Sequence, residues 1–249
     1  MRNQKHTLVV AALVVFLLAL SAPGFAAPVS HSSGSNQPIS ATHTYASTKL
    51  SPLVYFQNPD FNGAYSSQND TISFGNFATV YDNFTLGATT SLDEVQWIGS
   101  YFNPPAQGVI TAFTLNFYAD AAGQPGALLA SYSGPGAFGE TLLGNDNAGD
   151  PTFIYDGLLG SPFVAAAGTQ YWMSLVPDLG FPPQWGWETG TGGDGIAYQD
   201  FFGSRSQLPS DLSFALYGSQ TTAVPEPGSL ILLGTGLLGL AGSIRRKLF

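Results

Sequence analysis

The chain contains no cysteine. A disulfide scaffold and a cysteine-ligated zinc site are therefore excluded. Charge is scarce: Asp, Glu, Lys and Arg make up 9% of the 249 residues, against about 25% in an average soluble chain. That scarcity argues against a coiled coil or a helical bundle. Disorder is argued against by a hydrophobic content of 44%. Histidine is limited to His6, His31 and His43, all near the N-terminus. The body therefore has no imidazole base, and Ser-His-Asp and H-E-x-x-H chemistry are unavailable to it. Between residues 27 and 224 the only cations are Lys49 and Arg205. Lysine nucleophiles and arginine anion clamps are nearly absent as well.

What charge there is has one sign. The whole chain carries −9, but residues 27–224 hold fifteen acidic and two basic residues, a net charge of −13. Such a body repels phosphate backbones and anionic lipid, so nucleic acid is excluded as a partner. It suits divalent cations, neutral or cation-bridged polysaccharide, or simple solubility outside the cell.

Long apolar runs occur only at the ends. Arg2 and Lys5 precede an unbroken apolar stretch, Leu8 to Leu20, and Pro23 and Gly24 then break a helix. Small residues lead to a cut after Ala26 or Ala27. Residues 1–26 read as a secretory signal helix handed to the translocon; the run is shorter than the ~20 residues a membrane span needs. At the other end, residues 220–249 contain Pro225-Glu226-Pro227, an apolar segment from Leu230 to Ile244, and the basic cluster Arg245, Arg246, Lys247. The spacing predicts a short transmembrane helix that starts after the prolines and keeps its basic end cytoplasmic.

These three parts, in this order, resemble the PEP-CTERM sorting signal of Gram-negative bacteria. The resemblance implies recognition by an exosortase, cleavage near Pro-Glu-Pro, and delivery of the body to the cell surface or extracellular matrix. It also implies a setting of exopolysaccharide and biofilm. The alternative is a plain C-terminal membrane anchor. Gly234-Thr235-Gly236-Leu237-Leu238-Gly239 matches a dinucleotide-binding pattern, but the chain ends before the acidic residue that pattern needs. Its small residues fit close helix packing in lipid instead.

The body, residues 49–219, reads as all-β behind a flexible polar lead at 27–48. Short apolar runs alternate with Gly, Pro, Asn and Asp clusters. In Ala112–Ala119, Phe113, Leu115 and Phe117 share one face while Thr114, Asn116 and Tyr118 take the other. Thr71–Phe74 and Gln184–Glu188 are among the other predicted strands. Regular turn signals favour a single jelly-roll-like β-sandwich, with a closed barrel as the alternative. Tyr81-Asp82-Asn83-Phe84, Val95–Tyr101, Phe117–Asp120 and Ala167–Trp172 also resemble, in order, the β-sandwich bodies of secreted, C-terminally sorted bacterial proteins. That resemblance implies the fold and transfers no catalytic residue.

Three kinds of candidate site follow. Gly144–Asp150 gathers Asn145, Asp146, Asn147 and Asp150 in a glycine-flanked loop, which suits calcium; the bland reading is an Asx-rich turn. Trp185 and Trp187, with Tyr198, Phe201 and Phe202 nearby in sequence, are candidate glycan contacts; the alternative is core filling. Glu188, ending Trp185-Gly186-Trp187-Glu188, is the leading carboxylate for a glycoside hydrolase or lyase, with Glu94, Glu140, Asp82, Asp120 and Asp200 as partners. The expectation is an exported, non-enzymatic, structural or adhesive protein that holds exopolysaccharide. The alternative is a carboxylate-dependent carbohydrate-active enzyme.

Overall fold

The computed structural model describes residues 45–46, 51–136, 138–221 and 235. The signal segment with Ala26 and Ala27, and Pro225, Glu226, Pro227, Arg245, Arg246 and Lys247 of the C-terminal motif, lie outside them. Thr235 is the only helical residue among those described.

Fourteen strands form two seven-stranded sheets. The first sheet runs, edge to edge, β13 (Asp211–Leu212), β10 (Gln184–Thr191), β1 (Leu53–Ser66), β14 (Phe214–Gln220), β4 (Thr90–Phe102), β8 (Pro151–Ala165) and β7 (Thr141–Asn145). The second runs β12 (Ser204–Leu208), β11 (Ala197–Phe201), β3 (Gly75–Thr85), β2 (Gln68–Asp70), β9 (Gln170–Leu179), β5 (Ala112–Asp120) and β6 (Pro125–Pro135). Pairing is antiparallel except between β2 and β9.

The core follows from alternation. On β5, Phe113, Leu115 and Phe117 are buried while the residues between them are half-exposed. They meet Trp97, Trp185, Trp187 and Phe214 from the first sheet in one cluster. Trp97 stacks on Tyr155 at 5.6 Å, and Phe117 on Phe163 at 4.3 Å. Each such side chain contributes about 1.5–3 kcal/mol on burial. Glycine makes room for the indoles. A Cβ on Gly157 would lie 2.8 Å from Trp97, and one on Gly99 would overlap Trp185.

Strands β10 and β14 lie end to end between β1 and β4. Leu53–Gln57 of β1 pair with β14, and Asn58–Ser66 with β10. On β4, Thr90–Trp97 pair with β14 and Gly99–Phe102 with β10. Ser213 sits at the junction. Its N–H donates to Glu188 O, and its carbonyl accepts from Ile98 N and Trp187 Nε1.

The sandwich has two poles. At one, Thr221 N donates to Thr89 O and Gly168 N to Leu86 O, and the chain leaves toward its C-terminal segment. At the other, Thr71 N donates to Leu179 O and Phe202 N to Phe77 O.

Three expectations need correction. Thr71–Phe74 is a turn and not a strand, because the Asp70 carboxylate captures the N–H groups of Ile72, Ser73 and Phe74. The polar lead, expected to be flexible over 27–48, is held to the body where it is described, at residues 45–46. Tyr45 is buried against the first sheet, and Ala46 exchanges two hydrogen bonds with the Gln96 side chain. Strands β2, β7, β12 and β13 have no counterpart among the predicted strands; β12 (Ser204–Leu208) is an exposed edge strand, which needs no apolar face.

Candidate functional site

The strongest polar constellation lies on the outer face of the first sheet. Trp185 and Trp187 project into the core, so Glu188 falls on the opposite side of β10. That side is covered as well, by Tyr45 and by the loop between β7 and β8, and Glu188 has no exposed surface. Ser100 on β4 donates to Glu188 Oε1. The Ser100 hydroxyl is 2.7 Å from that of Thr152, which in turn donates to Asp150 O. Asp146 closes the ring. Its Oδ1 accepts from Ala148 N and Asp150 N, and its N–H donates to Asp150 O. Its carboxyl lies beside that of Glu188, close enough for each to shift the other's titration.

Two carboxylates cannot hydrogen-bond without a proton between them. Glu188 Oε2 and Asp146 Oδ2 receive no N–H or O–H from the rest of the described protein. One shared proton satisfies both. Burial, then the charge of Asp146, pushes the Glu188 carboxyl well above its ordinary range. Burial likewise raises Asp146. A shared proton would make the pair a clasp that fixes the loop to β10 and β4.

This geometry decides how the candidate residues are used. The Asn145–Asp150 loop is an Asx turn whose side chains serve the protein. Asn145 donates to Gly149 O, Asn147 donates to Asn62 Oδ1, and Asp146 points inward. Among the described residues no cluster of three His, Cys, Asp or Glu side chains forms a metal site. Trp185 and Trp187, expected to touch glycan, are corrected to core residues. Both are fully buried, and their indole N–H groups donate to Tyr155 Oη and Ser213 O. Neither offers a face to a sugar ring. Glu188 cannot be reached by a glycosidic oxygen in this conformation.

The other carboxylates are similarly occupied. Glu140 accepts from Tyr101, Tyr155 and Gln107. Asp120 accepts from Trp172 Nε1, and Asp200 pairs with Arg205 at 2.7 Å. Asp82 has no exposed surface and accepts from Asn83 N and Leu212 N; burial raises its carboxyl well above the usual range. Glu94 is buried on β4.

Of the aromatic residues, Tyr198 packs with Tyr81 and Trp172 on the outer face of the second sheet. Phe201 and Phe202 instead reach the pole remote from the chain exit. They join Phe74, Phe77 and Phe181 there, which no sequence pattern connects to them. The available signal was an aromatic residue beside each turn: Phe74-Gly75, Phe181-Pro182, Phe202-Gly203.

An all-β body followed by a Pro-Glu-Pro, apolar and basic tail defines a sorted, exported protein class. The family model described as the PEP-CTERM protein-sorting motif matches residues 223–247. The chain thus carries a PEP-CTERM motif, which implies exosortase-dependent export to the cell surface. No curated protein and no solved structure matches the chain.

Proposed function

We propose that this chain is a surface-delivered structural or adhesive protein whose jelly-roll-like β-sandwich works without catalysis. The PEP-CTERM match at residues 223–247 supports the surface delivery in this reading. After translocon passage, the Leu230–Ile244 segment holds the chain in the inner membrane and Arg245, Arg246 and Lys247 retain its end on the cytoplasmic side. Exosortase then cuts near Pro225-Glu226-Pro227 and the body passes to the cell surface or the extracellular matrix. The use of Glu188, Glu140 and Asp120 as internal hydrogen-bond acceptors supports a non-enzymatic body. Exopolysaccharide is a partner to test, on surfaces other than Trp185 and Trp187.

The test is the mass of the exported protein in producing cells. Loss of residues beyond the Pro-Glu-Pro is expected, and Pro225→Ala/Pro227→Ala should leave the tail attached. A mature wild-type protein that retains residues 228–249 would overturn the reading.

A further inference from the structure

Buried carboxylates of this protein are answered on both oxygens, with one exception. Asp70 takes four N–H groups, two on each oxygen. Asp82 takes Asn83 N and Leu212 N, and Asp211 takes Gly193 N and Gly195 N, one on each oxygen. Glu188 and Asp146 depart from this pattern. Glu188 Oε2 and Asp146 Oδ2 are buried and receive no hydrogen from the described protein. Glu188 has no exposed surface and Asp146 is 4% exposed. Buried polar atoms without a partner are rare enough that each one calls for an explanation.

A third oxygen faces the same space. Strands β10 and β13 pair Thr189 with Leu212 and Gly190 with Asp211. One step along that register, Glu188 lies opposite Ser213, and Ser213 N donates to Glu188 O. Side chains directly opposite on an antiparallel pair share a face. Ser213 has no exposed surface, and its Oγ makes no close hydrogen bond, with the Tyr45 hydroxyl near it. The Glu188 carboxyl and Ser213 Oγ thus lie together under the cover of Tyr45 and the β7–β8 loop.

The loop is pinned over this space by β1. Between Pro59 and Ala64, β1 slips out of register with β10, and Phe61 turns with φ 54°. Phe61 O then accepts from Asn147 N, and Asn62 Oδ1 accepts from Asn147 Nδ2. Asp60, in the same bulge, accepts from Asn62 N and Thr189 Oγ1 and adds its charge to the field at Glu188. No side-chain cation answers these charges. Among the described residues Arg205 is the only Lys or Arg, and it is paired with Asp200 in the other sheet.

The available donors are all oxygen, which suits a hard cation. Calcium takes about six to eight oxygens in adaptable geometry, whereas magnesium demands a near-ideal octahedron. Two carboxylates neutralise one calcium ion, while a single proton leaves a negative charge between them.

We propose that Glu188, Asp146 and Ser213 form a buried calcium site that ties the β7–β8 loop to β10 and to the junction before β14. Two carboxylates carry the charge, and main-chain and water oxygens complete the sphere. Of the four loop residues that suit calcium in the sequence, only Asp146 takes part; Asn145, Asn147 and Asp150 hold the loop in place. In calcium-free protein the pair is left with its proton.

The full-length chain, stripped with a chelator at mildly alkaline pH, is melted with and without calcium at about 10 mM. That is about a hundredfold above a Kd of ~0.1 mM, ordinary for extracellular calcium modules. The melting temperature should rise by about 5–10 °C. Terbium should luminesce through Tyr45 and Trp187, and calcium should displace it. Glu188→Gln and Asp146→Asn should each abolish both responses. Where either variant fails to fold, Ser213→Ala gives the readout, with calcium affinity lowered about tenfold. Asp150→Asn, in the loop but outside the site, should keep the full shift. An unshifted wild-type melt would overturn the proposal. So would an equal shift with magnesium, or with sodium chloride of matched ionic strength, which would reflect screening of the −13 body. Loss of the shift in Asp150→Asn but not in Glu188→Gln would place calcium in the outer loop and overturn it too. None of these readouts depends on cleavage at Pro-Glu-Pro, so the failure of either proposal is distinguishable.

Discussion

The Glu188 carboxyl on β10 lies beside the Asp146 carboxyl in the β7–β8 loop, and both are buried. The consequence is a pH dependence of known sign. Both groups bind a proton more tightly in the folded chain than in the unfolded one, where glutamate titrates near 4.3. The stabilisation is complete below that value and is lost as pH rises through the raised folded pKa. Stability should therefore fall from mildly acidic toward alkaline pH, with Asp60 adding to the repulsion once the proton leaves. Glu188→Gln replaces the shared proton with an amide N–H donor and should flatten this fall. Urea denaturation from pH 5 to 9 checks it. Stability that is flat or rising in the wild type would show that the clasp is not protonated.

The acid side has the opposite sign. Burial alone would raise the Asp70 carboxyl, but four backbone N–H donors outweigh it and hold it at about 2. Asp200 is lowered by its hydrogen bonds with Arg205. Their contributions are present above the unfolded aspartate value near 3.9 and are lost below it as pH falls through the folded values. Asp70→Ala should remove the anchor of both turns and leave backbone donors unpaired, at a cost of about 1–3 kcal/mol. Proteolysis within 71–74 should accelerate with it. An unchanged cleavage rate would show that Asp70 does not hold the 71–74 turn.

Much of the fold was legible because period two survives where one face is buried. Ala112–Ala119 alternates in sequence and does so in β5. The same logic misleads at Thr71–Phe74, which also alternates. There the deciding contact is Asp70 with its own turn, and periodicity carries no information about a side chain that competes for backbone donors. The Trp185–Glu188 segment reads as a strand and is one. Which side of that strand faces the core depends on β10 lying between β1 and β4, a long-range pairing that no local pattern encodes. The acid clasp is invisible in sequence for the same reason: Asp146 and Glu188 are 42 positions apart, and two other strands complete it. The aromatic cluster at the remote pole is half legible, as Phe201 and Phe202 stand out, but Phe74 and Phe181 join them only in three dimensions.

The burial of Trp185 separates a core role from a glycan-binding one. Trp185→Ala should cost about 3–5 kcal/mol, the loss expected for a large core aromatic. Any retention of the still-folded variant on exopolysaccharide should equal that of the wild type. Gly99→Ala tests the same packing from the other side. Its new Cβ would overlap the Trp185 ring, so overpacking should cost about 1–3 kcal/mol. A Trp185→Ala variant that melts normally yet loses polysaccharide retention would return Trp185 to the surface.

Phe202→Asn probes the turn between β11 and β12. Asparagine tolerates the left-handed conformation that Phe202 holds, and with Gly203 it completes the favoured hairpin pair. The gain is offset by lost ring contacts with Phe74, Phe77 and Phe201 at 4.9–5.9 Å. These are partly solvated, so relief of backbone strain should win by about 0.5 kcal/mol. Chemical denaturation of dilute monomer measures this directly. A more stable protein would mean that Phe202 is not kept for the fold. A clear loss of stability would mean that the ring cluster holds the pole together.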